Sequence, residues 1–350
     1  MTALRRDAAA TRSNEAIRHT YLADYENADQ AEWQAVLFGQ AHVSGGTHDD
    51  SMAQTQLDHA GVAPEQALHL EVEQADEALQ GAVLEVVKER QILLGSNYPF
   101  DLQGNSLVLR AGVTDDTVYL GLLAIANLPN LNRAPYNKAP VAFEHLSLLA
   151  AQQHLGSNAK GWRFGWPREG EGHEKVLARM ETAVTRLKAM AGDHPNDWHW
   201  RPAPTSNTAE RISQMKDCGL DVVAWVPWPD GGPGQLHLLG QCACGDDWKH
   251  KLHDLTLKRL SHWMKLPEPE PLRAFFTPRH LPLPFFEEVS RDAGLTFDRI
   301  RIVQAIDHDE AARATAAPLA RRLVKLGRDA SRVVLNDVSN APAPAGTAAI

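Results

Sequence analysis

Asp221 and Gln241 enclose 19 residues, "VVAWVPWPDGGPGQLHLLG". That segment reads as two strands, residues 220–226 and 235–242, around a tight turn with Asp230 and Gly231 at its tip. An Asp-Gly step between alternating apolar runs is a strong hairpin signal. With the turn centred on Gly231, each residue faces the one whose number completes 462. Val223 then faces Leu239, Trp225 faces His237, and Asp221 faces Gln241 with β-carbons roughly 5 Å apart. A slip of one residue would send the two polar groups to opposite faces. In this register a carboxylate and an amide oxygen point the same way at the open end of a hairpin. Oxygen ligands so placed suit a hard cation such as Mg²⁺, which takes one or two carboxylates and keeps several waters.

The elements around the hairpin must complete such a site. Residues 246–265 read as a helix starting at "DDW", with Asp246 and Asp247 suited to its N-cap and first turn. Trp248, Leu252, Leu255 and Leu260 form its apolar stripe, and Lys249, Lys251 and Lys258 lie off it. A lysine from its first turns can reach the cation site. Upstream, residues 141–155 and 173–192 read as helices, and 159–172 as a loop or short strand. Downstream, 272–280 reads as a strand and 297–306 as a further strand. The N-terminal 139 residues read as mainly helical, over 12–40 and 64–94. Residues 106–112 are a strand there, and 117–126 a strand or a buried helix. The Asn- and Pro-rich stretch 127–140 is the candidate boundary, and 338–350 a disordered tail.

This order resembles the PD-(D/E)xK nuclease superfamily, the restriction-endonuclease-like fold. Its core is a helix, a three-strand meander, a helix and a strand. The resemblance covers about residues 140–310. It implies an α/β core over 140–337, opened by the helix 141–155 or 173–192. It also implies hydrolysis of a nucleic-acid phosphodiester with Mg²⁺ (or Mn²⁺), preferentially of DNA, in the setting of restriction or anti-phage defence. Asp221 matches the metal-binding aspartate that opens the second core strand. Gln241 stands where the family places its second acidic ligand, a position that some branches fill with glutamine. The lysine expected two residues later is Ala243, so Lys251, or else Lys249, is the substitute. Glu144 matches the assisting glutamate of the first core helix, and Lys216 and Asp217 lie just before the catalytic aspartate. Gln241 in place of an acid removes one negative charge, which Glu144 or Asp217 could restore. The same departures support another outcome, a nuclease fold that has lost catalysis and serves as a DNA-binding or assembly subunit.

Composition sets the bounds. The chain has 350 residues, 43% hydrophobic and 23% charged, and no apolar run long enough for a membrane span. Its start lacks the apolar stretch of a secretory signal. Three cysteines are too few for a disulfide framework. A cytoplasmic protein with reduced thiols is expected. The net charge of -9 is uneven. Residues 19–87 hold 13 acids and no Lys or Arg, whereas 249–279 hold seven Lys or Arg against three acids. The acidic block reads as solvated helix faces or a protein-partner surface, which could also serve a homo-oligomer. The basic stretch can meet nucleic acid. Arg163, Arg168 and Arg201, interleaved with Trp162, Phe164, Trp166, Trp198 and Trp200, could grip a backbone and stack a base, or anchor loops on the core. Arg273 and Arg279 flank a strand and could reach phosphates or be plain surface charge. Cys242 and Cys244 read as small buried residues, because a zinc site would need further ligands.

Overall fold

The computed structural model describes residues 22–43, 65–165, 180–202 and 217–339. Arg168, Trp166, Lys216, the first part of the helix expected over 173–192 and residues 340–350 of the expected tail lie outside them, while Val338 and Ser339 end a helix. In chain order the elements are helix α1 (22–38), strand β1 (Gln40–His42) and helix α2 (Glu65–Leu94). Strands β2 (Phe100–Gln103) and β3 (Ser106–Leu109) precede helices α3 (Val118–Ala126) and α4 (Ala139–Leu155). Then follow β4 (Lys160–Arg163), α5 (Met180–Met190), β5 (His199–Trp200), β6 (Val222–Val226) and β7 (Leu236–Cys242). The chain continues through α6 (Leu257–Ser261), β8 (Met264–Lys265), β9 (Leu272–Phe276), α7 (Leu283–Ala293) and β10 (Leu295–Phe297). It closes with α8 (Arg299–Asp307) and α9 (Glu310–Ser339). No described helix is long and apolar enough to cross a membrane.

The fold is mixed α/β. A five-stranded sheet runs in the order β10-β9-β7-β6-β4. β4, β6 and β7 are antiparallel neighbours, but α5 and β5 intervene between β4 and β6, so the expected three-strand meander is interrupted; β9 and β10 continue the sheet in parallel. The hairpin has the expected register: Val222 faces Gly240, Val223 faces Leu239 and Trp225 faces His237. Because strand side chains alternate between faces, each strand serves two cores. Val222, Ala224, Leu238, Ala274 and Phe276 face one cluster with Phe143 and Leu146 of α4. Val223, Trp225 and Leu239 face a second, with Val184 and Leu187 of α5, and Phe275 joins a third with Val289 of α7. The sheet is thus covered on both sides, which is why its strands are apolar almost throughout.

Two expected elements differ. Residues 246–265 are not one helix but a 3₁₀ turn (Trp248–Lys251), a short turn and then α6. In a continuous helix the Leu255 N–H would donate to the Lys251 carbonyl. Here it donates to Gln241 Oε1 at 3.2 Å, and the Lys251 carbonyl accepts from Asp254 instead. Thr256 then caps the new helix by accepting from the Arg259 N–H at 3.1 Å. Trp248, Leu252, Leu255 and Leu260 are nonetheless all buried. Residues 297–306 are mostly helix rather than strand. Asp298 is the N-cap of α8, accepting from the Arg301 N–H at 3.0 Å. Ile300, Val303 and Ile306 then fall on its buried face.

Residues on both sides of the 139–140 boundary share the first core. It gathers Tyr25, Val36, Val87 and Tyr119 with Ile302, Ala316 and Leu323. Two acids of the 19–87 block lie inside it rather than on a solvated face. Asp29 and the fully buried Glu32 of α1 are each bound by Arg90 at 2.8 Å. Arg299 reaches Asp29 at 2.6 Å, and the Tyr98 and Tyr119 hydroxyls donate to Glu32 at 2.6 and 2.7 Å. The cluster ties α1 and α2 to α8, which packs beside the sheet.

α3 packs on α9 closely enough that a β-carbon on Gly121 would lie 2.8 Å from Ala320 Cα. Backbone cannot swing aside as a flexible side chain can. Gly121→Val is expected to cost about 1–3 kcal/mol, the usual range for overpacking. Gly81→Ala, in α2 with nothing within 4 Å, should be neutral or stabilising by about 0.5–1 kcal/mol. Urea unfolding of the two variants checks the pair.

Candidate functional site

The open end of the hairpin faces a cleft of about 950 Å³. Asp221 comes from just before β6, where its N–H donates to the Gly240 carbonyl at 2.9 Å, Gln241 from the end of β7, Glu144 from α4, Lys251 from the 3₁₀ turn and Asp217 from the turn before β6. The structure therefore brings together all four residues expected to act at the site. A loop from the N-terminal half, with Leu128, Asn130 and Asn132, also lines the cleft.

Asp221 sits half-buried just before β6, and its Oδ2 accepts from the Cys242 N–H at 2.6 Å. Its main-chain carbonyl accepts from the N–H groups of Phe164 and Gly165 at 2.7 and 2.8 Å, which fixes its place against the strap after β4. Burial, then the neighbouring carboxylates of Asp217 and Glu144, push its carboxyl well above the usual range. The Cys242 N–H and Lys251 pull it down less. Three carboxyl groups, Asp217, Asp221 and Glu144, thus share the cleft lining.

The other groups are placed more tightly than spacing suggests. Glu144 is buried, and its Oε2 meets Arg163 Nε at 2.6 Å. Arg163, a candidate for gripping nucleic acid, is 3% exposed and turned inward to that carboxylate, so it holds Glu144 and does not reach a bound backbone. Gln241 is 3% exposed with its oxygen on the Leu255 N–H. Lys251 faces the cleft and lies 3.3 Å from Asp247. Asp217 Oδ1 accepts from the Gly219 N–H at 3.1 Å.

The remaining basic candidates separate. Lys249 lies over the Trp248 and Phe285 rings, 5.8 Å from each centroid, and lines a neighbouring cavity of about 310 Å³ with Arg279. Arg279 binds Asp246 at 2.6 Å and Glu26 at 3.7 Å. Arg273 donates to the carbonyls of Leu255 and Asp292. Lys258 and Arg201 are exposed. Phe164 and Trp198 are fully buried in the second core, with Trp162 and Trp200 packed against it. They anchor loops and offer no platform for a base.

All three cysteines line the cleft. Burial pushes the Cys244 thiol up to about 12 and Cys242 well above its ordinary value, with Asp221 and Glu144 adding to both shifts. Both stay protonated and are poor nucleophiles. Arg259 also lines the cleft, a residue that the sequence marks only by its place in the basic stretch.

Among the described residues, no group of three or more His, Cys, Asp or Glu side chains is placed to hold a metal ion. The donor set fits a hard cation held by few protein ligands. Asp221 has one carboxylate oxygen beyond the Cys242 bond, Asp217 and the Arg163-held Glu144 bring two further carboxylates to the cleft, and Gln241 supplies an amide oxygen. Mg²⁺ bound in this way completes its shell with water. No family model, no curated protein and no solved structure matches the chain.

Proposed function

We propose that the cleft is the centre of a metal-dependent nuclease of the restriction-endonuclease-like kind, acting on DNA. The observation that carries this reading is the convergence of Asp221, Gln241, Glu144 and Lys251 on one cleft at the open end of the hairpin. The order of a helix, three antiparallel strands and a parallel fourth strand agrees with it. Asp221 would hold the cation, with Gln241 as an oxygen donor and Asp217 or Glu144 adding negative charge. A bound Mg²⁺ supplies charge neutralisation at a phosphate and a lowered pKa for a water.

The chain's own groups do the rest. Asp221 is fixed at both ends, by its side chain on the Cys242 N–H and its carbonyl on the 164–165 strap. Lys251 brings an ammonium to orient the attacking water and stabilise developing negative charge. The Arg163–Glu144 pair holds α4 to the edge strand and sets where the Glu144 charge lies. A nuclease of this kind suits restriction or anti-phage defence.

Calorimetric titration with Mn²⁺ tests the metal role without substrate. Wild type and Lys251→Ala should bind alike and Asp221→Ala should not bind. Equal binding by all three would remove Asp221 from the site. In cleavage, Lys251→Ala should lose on the order of 10²-fold or more in rate, the scale of one electrostatic donor.

One observation favours a second reading. The Gln241 oxygen already bonds Leu255, and Lys251 already pairs with Asp247. A DNA-binding or assembly subunit on a nuclease-like fold would show this, and would bind DNA equally with metal or EDTA while never cutting it.

A further inference from the structure

We infer that an exposed basic ridge beside the cleft is a docking track for the phosphates of duplex nucleic acid. The inference rests on the nuclease reading for the identity of its ligand. Its geometry stands apart from the cleft's carboxylates.

The ridge is assembled by a small sheet. β5 pairs with β8 so that His199 faces Lys265 and Trp200 faces Met264. Arg201 continues β5, its N–H donating to the Trp263 carbonyl at 2.9 Å. By strand alternation Arg201 shares the outer face with His199 and Lys265. All three are exposed, while Trp200 and Met264 turn toward the second core. α6 lies immediately before β8. Leu260 is its buried contact, and Lys258 and Arg259 are exposed. Arg259 also lines the cleft, so α6 borders both the cleft and β8.

Two features select the ligand. Among the described residues, Lys258, Lys265 and Arg201 have no acidic partner, unlike Lys251, Arg259 and Arg279. Unpaired, solvated cations on adjoining elements match a phosphate backbone and lose little when they bind one. The aromatic rings here are not offered to bases. Trp200 and Trp263 stack on each other at 6.1 Å and 18°, and Trp263 is buried. Contact through phosphates without base stacking fits a duplex, whose bases are already stacked inside, better than a single strand.

The test is fluorescence anisotropy with a labelled 30-base-pair duplex and the same single strand. It uses the full chain in EDTA over a range of salt. The ridge variant Arg201→Ala/Lys258→Ala/Lys265→Ala is compared with wild type. A control, Arg322→Ala/Lys325→Ala/Arg332→Ala, removes three exposed cations from α9. Loss of three phosphate contacts should lower the slope of log affinity against log salt by about 2–3, and weaken binding by on the order of 10- to 100-fold. The control should match wild type. Equal slopes in wild type and ridge variant, or equal losses in ridge variant and control, would overturn the inference. So would tighter binding of the single strand through these residues. Metal is absent throughout, so a chain that binds by the ridge but never cuts would defeat the nuclease reading and leave the ridge standing. A chain that cuts, yet ignores the ridge substitutions, would do the reverse.

Discussion

Asp221→Asn is expected to unfold at a higher temperature than wild type in metal-free buffer near pH 7, while losing its response to divalent cations. Asparagine keeps an oxygen for the Cys242 N–H, which Asp221 bonds at 2.6 Å. It removes a charge that burial, Asp217 and Glu144 all disfavour. A carboxyl with a raised folded pKa binds more protons folded than unfolded across the gap between the two values. Its ionisation therefore opposes folding as pH rises above the unfolded value near 3.9, and the penalty is present in full above the folded value. The gain from removing it should show as a higher unfolding temperature at pH 7. It should shrink as pH falls toward 4. Wild type should gain stability with added Mg²⁺ or Mn²⁺ by mass action, and the variant should not. Thermal melts at pH 4, 5.5 and 7, with and without metal, check both parts. A variant less stable than wild type at pH 7 would show that the carboxylate is held by compensating charge and is not poised for a cation.

The second large effect lies away from the cleft. Arg90→Met should cost about 3–5 kcal/mol, because removing one partner from a buried ion cluster strands the others. Arg90 is fully buried between Asp29 and Glu32, at 2.8 Å from each. Without it Arg299 alone faces two carboxylates, and α1 loses its buried ion pairs to α2. The cluster should also mark the acid limb of unfolding. Burial pushes the Asp29 carboxyl up, but Arg299 and Arg90 outweigh it and hold it at about 2. A depressed pKa contributes stability that is present above about 3.9 and lost as pH falls through about 2. In Arg90→Met that acid-dependent loss should be smaller. Urea unfolding at pH 7 and an acid titration measure both. A cost under about 1 kcal/mol would mean that the methionine packs as well as the charges do.

Part of this architecture was legible from residues near one another in the chain. The Asp-Gly turn gave the register of the hairpin, Val222 opposite Gly240 through Val226 opposite Leu236, which brings Asp221 and Gln241 to the same open end. Long-range pairing was not legible. Asp29 and Arg299 are 270 positions apart, and no local pattern distinguishes a buried acid of α1 from a solvated one. Arg163 among aromatics resembles a surface grip until α4 brings Glu144 beside it. The break in 246–265 depends on Gln241 taking the Leu255 N–H from across the chain, whereas the apolar spacing fits an unbroken helix. "FDRIRIV" alternates like a strand, and only the Asp298 cap turns it into α8. Helix α9 carries Pro318 within it, which masks its continuity in the sequence.

The most direct measurement is cleavage of supercoiled plasmid, linear duplex, single-stranded DNA and RNA by wild type and Asp221→Asn, with Mg²⁺, Mn²⁺ or EDTA. Wild type should cut duplex DNA with metal and not in EDTA, and the variant should not cut. Cutting that survives Asp221→Asn, or that proceeds in EDTA, would contradict the assignment of the hairpin's open end as the metal centre.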